Sequence, residues 1–234
     1  MNKTSASALA TWLMILSLMA VGWGLMTGSM GWEWGLALHD PIVQDIRLPR
    51  TLGAWLAGAL LGLAGALAQG LFRNPLADPY LLGSASGASL GVAIALSLGV
   101  WGSASYAQVS EAMQWGMRLG LTGMAFVGAW AAVLFTLLLA RGVEHTLRLL
   151  LAGVVVGVVL GALTSLLTLV SPQTLPAMQS FLLGNTGMLS AQACVLMAMV
   201  LLLCAGLSWV FSPLLDGLRL GESTAQSLGL RVEG

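Results

Sequence analysis

"RNPLADPYLLGSASGASLG", residues 73–91, sets a polar corner directly against a glycine-notched apolar run. Arg73, Asn74, Pro75, Asp78 and Pro79 crowd into one short stretch of a chain that otherwise avoids charge, and Gly83, Gly87 and Gly91 follow four residues apart. A residue before proline is pushed out of the helical region, so neither Asn74-Pro75 nor Asp78-Pro79 lets a helix run through. Arg73 or Asp78 at the centre of a membrane helix would cost about 2.5–3.5 kcal/mol each. The stretch therefore reads as a tight turn at a membrane surface, built on Asn74, Pro75, Asp78 and Pro79. A helix whose small-residue face packs hard against a neighbour follows it.

The rest of the chain supports a membrane reading. Of 234 residues, 58% are hydrophobic and 8% charged, against roughly 25% charged in a soluble domain. Charge-free stretches cover 4–32, 51–72, 79–110, 119–140 and 149–215. About 20 apolar residues cross a bilayer, so four of these hold one span each. Pro172 and Pro176 divide the fifth. Six spans are expected: Ala8–Met30, Thr51–Leu71, Leu81–Val100, Leu119–Ala140, Leu149–Val170 and Leu189–Phe211. No strand-like alternation competes, so the fold class is all-α, a polytopic membrane helical bundle. Residues 1–211 form the transmembrane region and 212–234 a cytoplasmic segment. The first apolar run is longer than the 7–15 residues of a signal peptide and reads as a retained helix.

Orientation follows from the basic residues. With the N-terminus inside, Lys3, Arg73, Arg141, Arg148, Arg219 and Arg231 are cytoplasmic, while Arg47, Arg50 and Arg118 are outside. Both termini are thus expected in the cytoplasm, and Arg47 and Arg50 run against the bias. Glycine is enriched, at 30 residues. Beyond the stripe at Gly83, Gly87 and Gly91, glycines recur four apart at Gly58 and Gly62 and at Gly153, Gly157 and Gly161. Such rows let helix backbones approach closely in lipid. Cys194 and Cys204 face different sides of one helix and read as small apolar packers. His39 and His145 lie in different loops, so no metal-ligand spacing appears. The methionines read as core filler. Trp32, Trp34, Trp101 and Trp115 sit near span ends, where indoles anchor.

Residues 47–91, "RLPRTLGAWLAGALLGLAGALAQGLFRNPLADPYLLGSASGASLG", resemble the permease subunits of ABC importers for iron-siderophores, haem and vitamin B12. The shared pattern is Arg-Leu-Pro-Arg, a glycine-rich helix ending in Gln, Asn-Pro-Leu-Ala-Asp-Pro, then Leu-Gly and small residues. "LLLAGVVVGVVLGALTSLL", 149–167, is similar to the family's fifth helix, and "LRLGESTAQSLGL", 218–230, to its cytoplasmic coupling segment. The loop "MQSFLLGNTGMLS" departs from the family in lacking a tryptophan near its Leu-Gly. Family members have about ten helices, so the resemblance makes this chain a C-terminally shortened one that does not transport alone.

The resemblance implies a pathway between two permease subunits, a bacterial cytoplasmic membrane location, a separate cytoplasmic ABC ATPase and an extracytoplasmic substrate-binding protein. It implies that Arg47 and Arg50 dock the binding protein. Gly221, Glu222, Ala225 and Gly229 would shape a short helix that contacts the ATPase. A ferric siderophore is the expected cargo, with haem and cobalamin behind it. The residues agree on two points. Lys3 is the sole lysine, so the chain lacks the Gly-x-x-x-x-Gly-Lys-Ser/Thr of a phosphate-binding loop; no cofactor is expected. The six spans hold no Asp, Glu, Lys, Arg or His, which argues against an ion-coupled secondary carrier. A structural membrane subunit or inactive remnant remains as an alternative. An enzyme is disfavoured, because no nucleophile–base or paired-carboxylate set appears.

Overall fold

The computed structural model describes residues 3–28, 31–32, 40–98, 111–141, 146–187 and 189–219. Seven helices run α1 (Lys3–Met26), α2 (Leu48–Phe72), α3 (Ser84–Ser97), α4 (Glu111–Ala140), α5 (Thr146–Val170), α6 (Leu175–Leu182) and α7 (Ala191–Arg219). A π turn at Val43–Arg47 leads into α2, and a 3₁₀ turn at Pro172–Thr174 leads into α6. The only strands described are a two-residue antiparallel pair, with Thr27 opposite Trp32 and Gly28 opposite Gly31. Among the described residues, five segments are long and apolar enough to cross a membrane: Ser7–Met26, Val43–Phe72, Leu119–Ala140, Leu147–Val170 and Ala191–Ser212.

The chain divides into two compact units, residues 1–71 with 186–234, and residues 72–185. The second unit is built around α3, which packs most extensively on α4 and then on α5. Val92, Ala93 and Leu96 of α3 form a buried cluster with Met178 of α6, and Leu121, Ala125 and Leu167 pack against it. Gly87 and Gly91 of α3 are buried as well. A methyl group at Gly87 would run into the carbonyl oxygen of Gly128 and the side chain of Ala132. One at Gly91 would meet the Met124 carbonyl, and one at Gly128 the Gly87 carbonyl. The α3 and α4 backbones are thus in contact, as close packing of helices in lipid requires. On the other side, a Cβ at Gly153 would strike the Leu81 carbonyl. The hydroxyl of the fully buried Thr136 of α4 donates to the Leu82 carbonyl at 3.0 Å, which satisfies a turn acceptor ahead of α3.

The third expected span, Leu81–Val100, is corrected. Its described helix has 14 residues, about 21 Å at 1.5 Å per residue, short of the roughly 30 Å hydrocarbon core. Gly83 takes a left-handed φ of 77°, so Leu81 and Leu82 belong to turns despite their apolarity. The interval between the fifth and sixth spans also holds α6, whose last turn, from Met178, opens the stretch expected as a loop.

In the first unit, the Asp40 carboxylate accepts from the Ile42 N–H at 2.9 Å, an N-cap with Pro41 in the first helical position. The helix then passes through Pro49. A proline lacks an N–H and clashes with the carbonyl four residues back. Here the Leu48 N–H reaches back to the Val43 carbonyl, a five-residue step that widens the turn around Pro49. Arg47 and Pro49 therefore sit within a continuous helical segment.

Candidate functional site

Arg47 closes the π turn and Arg50 lies three residues on, so the two project from the same side of the helix. The Pro49 side chain between them is fully buried. Its carbonyl accepts a bond from the buried Cys194 thiol of α7 at 3.2 Å. Gly53, one turn further, sits under Leu189 and Cys194. These contacts fix the inner face of the arginine segment. Arg47 is half-buried and Arg50 exposed. On the α1 side, a Cβ at Gly28 would collide with the Arg47 guanidinium, and one at Gly24 would lie 2.8 Å from Thr51 Cγ2. The two glycines thus let the arginine segment lie flat on the end of α1. Deeper, the Trp55 indole N–H donates to the Ser17 hydroxyl, tying the two helices together. Between them is an open groove of about 770 Å³, with both arginines at one end.

The turn residues Asn74, Pro75, Asp78 and Pro79 are brought into two successive turns. The Asn74 carboxamide oxygen accepts from the Leu76 N–H at 2.9 Å, and the Asp78 carboxylate accepts from the Tyr80 N–H at 2.7 Å. Each side chain mimics a backbone turn. Arg73 has a φ of 50° and ends the helix before them. Leu76 projects at the apex, 88% exposed.

Of the glycines singled out by spacing, Gly83, Gly87, Gly91 and Gly153 lie against another backbone, and Gly157 is 3.7 Å from the Ser86 hydroxyl. Gly58, Gly62 and Gly161 face open space in this chain, so the close neighbours expected at those three are not found among the described residues. Gly128 and Ala132 escaped the spacing argument because their small-x-x-x-small pair mixes glycine with alanine. Gly221, Glu222, Ala225 and Gly229 lie outside the described residues, as do His39, His145, Trp34 and Trp101. Among the described residues no group of His, Cys, Asp or Glu could hold a metal ion.

A helical membrane unit with the Arg-Leu-Pro-Arg segment at the head of α2 and the Asn-Pro/Asp-Pro turns after it matches a known family model, that of the FecCD transport family, over residues 9–234. The chain belongs to the FecCD transport family. Among similar proteins, the ferric enterobactin transport system permease protein FepD of Escherichia coli K12 is 39% identical over 194 residues, which are 82% of this chain and 54% of FepD. The vitamin B12 import system permease protein BtuC of Salmonella paratyphi A is 37% identical over 228 residues, 94% of this chain and 65% of BtuC. The FecCD chain thus spans between half and two thirds of the length of these relatives. A solved metal-chelate type ABC transporter in an inward-facing conformation superposes with a TM-score of 0.77 at 26% identity, covering 96% of this chain and 68% of its own.

Proposed function

We propose that this chain is a permease component of an ABC importer for a metal chelate, a ferric siderophore first and cobalamin second. The observation that carries the reading is the family match over residues 9–234, which contains the Arg47–Arg50 segment and the 73–83 turns in one block. FepD, named for ferric enterobactin, and BtuC, named for vitamin B12, support the two cargo classes. A second permease subunit, a cytoplasmic ATPase and an extracytoplasmic binding protein complete the assembly. Arg47 and Arg50 receive acidic side chains of the binding protein, and residues 221–229 form the coupling helix on the ATPase.

The test is a transporter assembled from this chain, the second permease subunit, the ATPase and the binding protein, in cells lacking their own chelate permeases. Labelled iron as ferric siderophore should accumulate and labelled cobalamin should not; the reverse would exchange the cargo assignment. Charge reversal at Arg47 and Arg50 acts chiefly on encounter rate and salt dependence. It should slow binding-protein association most at low ionic strength, and unchanged association there would remove the docking role.

A further inference from the structure

We infer that the groove between α1 and α2 seats one anionic phospholipid, its phosphate on Arg47 and Arg50 and an acyl chain along Ala20, Val21 and Ala54. The inference rests on the reading of this chain as membrane-spanning, and the lipid occupies Arg47 and Arg50 while no binding protein is docked on them. Depth is the first ground. The apolar segment Val43–Phe72 has 30 residues, about 45 Å at 1.5 Å per residue. That is longer than the roughly 30 Å hydrocarbon core and matches the 40–45 Å that includes both headgroup layers. Arg47 and Arg50 lie near the start of this segment and so at the level of lipid phosphates.

The lining is the second ground. The groove of about 770 Å³ is cationic at one end and apolar at the other, and no carboxylate is among its described lining residues. Thr27 and Thr51 add hydroxyls near the arginines, while Ala54 and Trp55 of α2 and Ala20 and Val21 of α1 make the floor. Trp55 is five residues past Arg50, about 7.5 Å deeper along the helix. An amphiphile with a charged head and an apolar tail fills both parts. The acidic surface of a soluble protein would meet the arginine rim alone and leave the apolar floor in contact with nothing. Two guanidinium groups favour a net negative headgroup over one that carries its own cation. Gly24 and Gly28 keep the groove's α1 wall low enough for the Arg47 guanidinium to lie across it.

Native mass spectrometry of the delipidated full chain, offered phosphatidylglycerol or phosphatidylcholine, tests this. The wild type should retain phosphatidylglycerol in preference to phosphatidylcholine. Arg47→Gln with Arg50→Gln should cut that retention roughly tenfold or more, since each basic residue near a membrane surface contributes about fivefold. Ala54→Phe, which fills the floor and leaves both charges, should cut it as well. Arg47→Lys with Arg50→Lys should keep it and shows that the arginine positions tolerate substitution. Equal retention of the two lipids by the wild type, or undiminished phosphatidylglycerol in the Gln and Phe variants, overturns the site. So does a Gln variant that loses binding-protein association while retaining the lipid. Failed chelate uptake would count against the proposed transport activity and leave this measurement untouched.

Discussion

Gly87 and Gly58 both sit in helices, yet one added methyl group should act on them in opposite directions. At Gly87 the methyl meets the Gly128 carbonyl and the Ala132 side chain; at Gly58 nothing lies within 4 Å. Overpacking a helix contact costs about 1–3 kcal/mol, whereas replacing glycine with alanine in an open helix position gains about 0.5–1 kcal/mol. For a chain of this size each kcal/mol moves the midpoint by roughly 2–4 °C. Thermal unfolding of the isolated chain in detergent should therefore fall for Gly87→Ala and rise for Gly58→Ala; shifts of the same sign would refute the assigned packing. The rows of glycine were legible from their spacing. Which row is occupied was not, because that depends on Gly128 and Ala132 arriving from α4, and no local pattern around Gly87 names its partner.

At the scale of the element, Pro49 decides how the arginine segment is presented. The five-residue step from the Leu48 N–H to the Val43 carbonyl exists because proline cannot make the regular bond. Pro49→Ala restores a donor and removes the ring, so the turn can close into a regular α-helix. Closing the turn leaves Arg47 and Arg50 three residues apart and so on one side of the helix, while the residues before the turn swing by about 100° around its axis. We expect Pro49→Ala to slow binding-protein association at low salt less than Arg47→Gln does. Association slowed as much as by Arg47→Gln would mean that the widened turn orients Arg47. The five long spans were legible because each is a long charge-free run. The short α3 was not, since apolarity at Leu81 and Leu82 carries no trace of the left-handed Gly83 that excludes them from the helix. The eight residues of α6 are too few for any apolar window, and Met178 alone ties them to the core.

For the whole molecule, the open question is which side of the membrane each turn faces. Basic residues favour an inside N-terminus, with Arg73, Arg141 and Arg148 on the same side. Arg47 and Arg50 oppose that bias and therefore need a reason to lie outside, which a lipid phosphate and an acidic docking partner both supply. The helical segment ending at Phe72 is long enough to cross the bilayer once, so residues before and after it lie on opposite sides. Asp45 is exposed near its start, and Leu76 is exposed four residues past its end. Single cysteines at these two positions, in a background with Cys194→Ala and Cys204→Ala, report the two sides separately. A membrane-impermeant thiol reagent added to intact cells should label Asp45→Cys and spare Leu76→Cys until the cells are opened. The background needs its own control, because Cys194→Ala removes the bond to the Pro49 carbonyl, a loss of about 1 kcal/mol. Cys194→Ser keeps a donor there and should give the same labelling pattern. Labelling of Leu76→Cys with protection of Asp45→Cys would invert the topology and place the arginines in the cytoplasm. Labelling of both from outside would show that the segment does not span, and the depth assigned to Arg47 and Arg50 would fall with it.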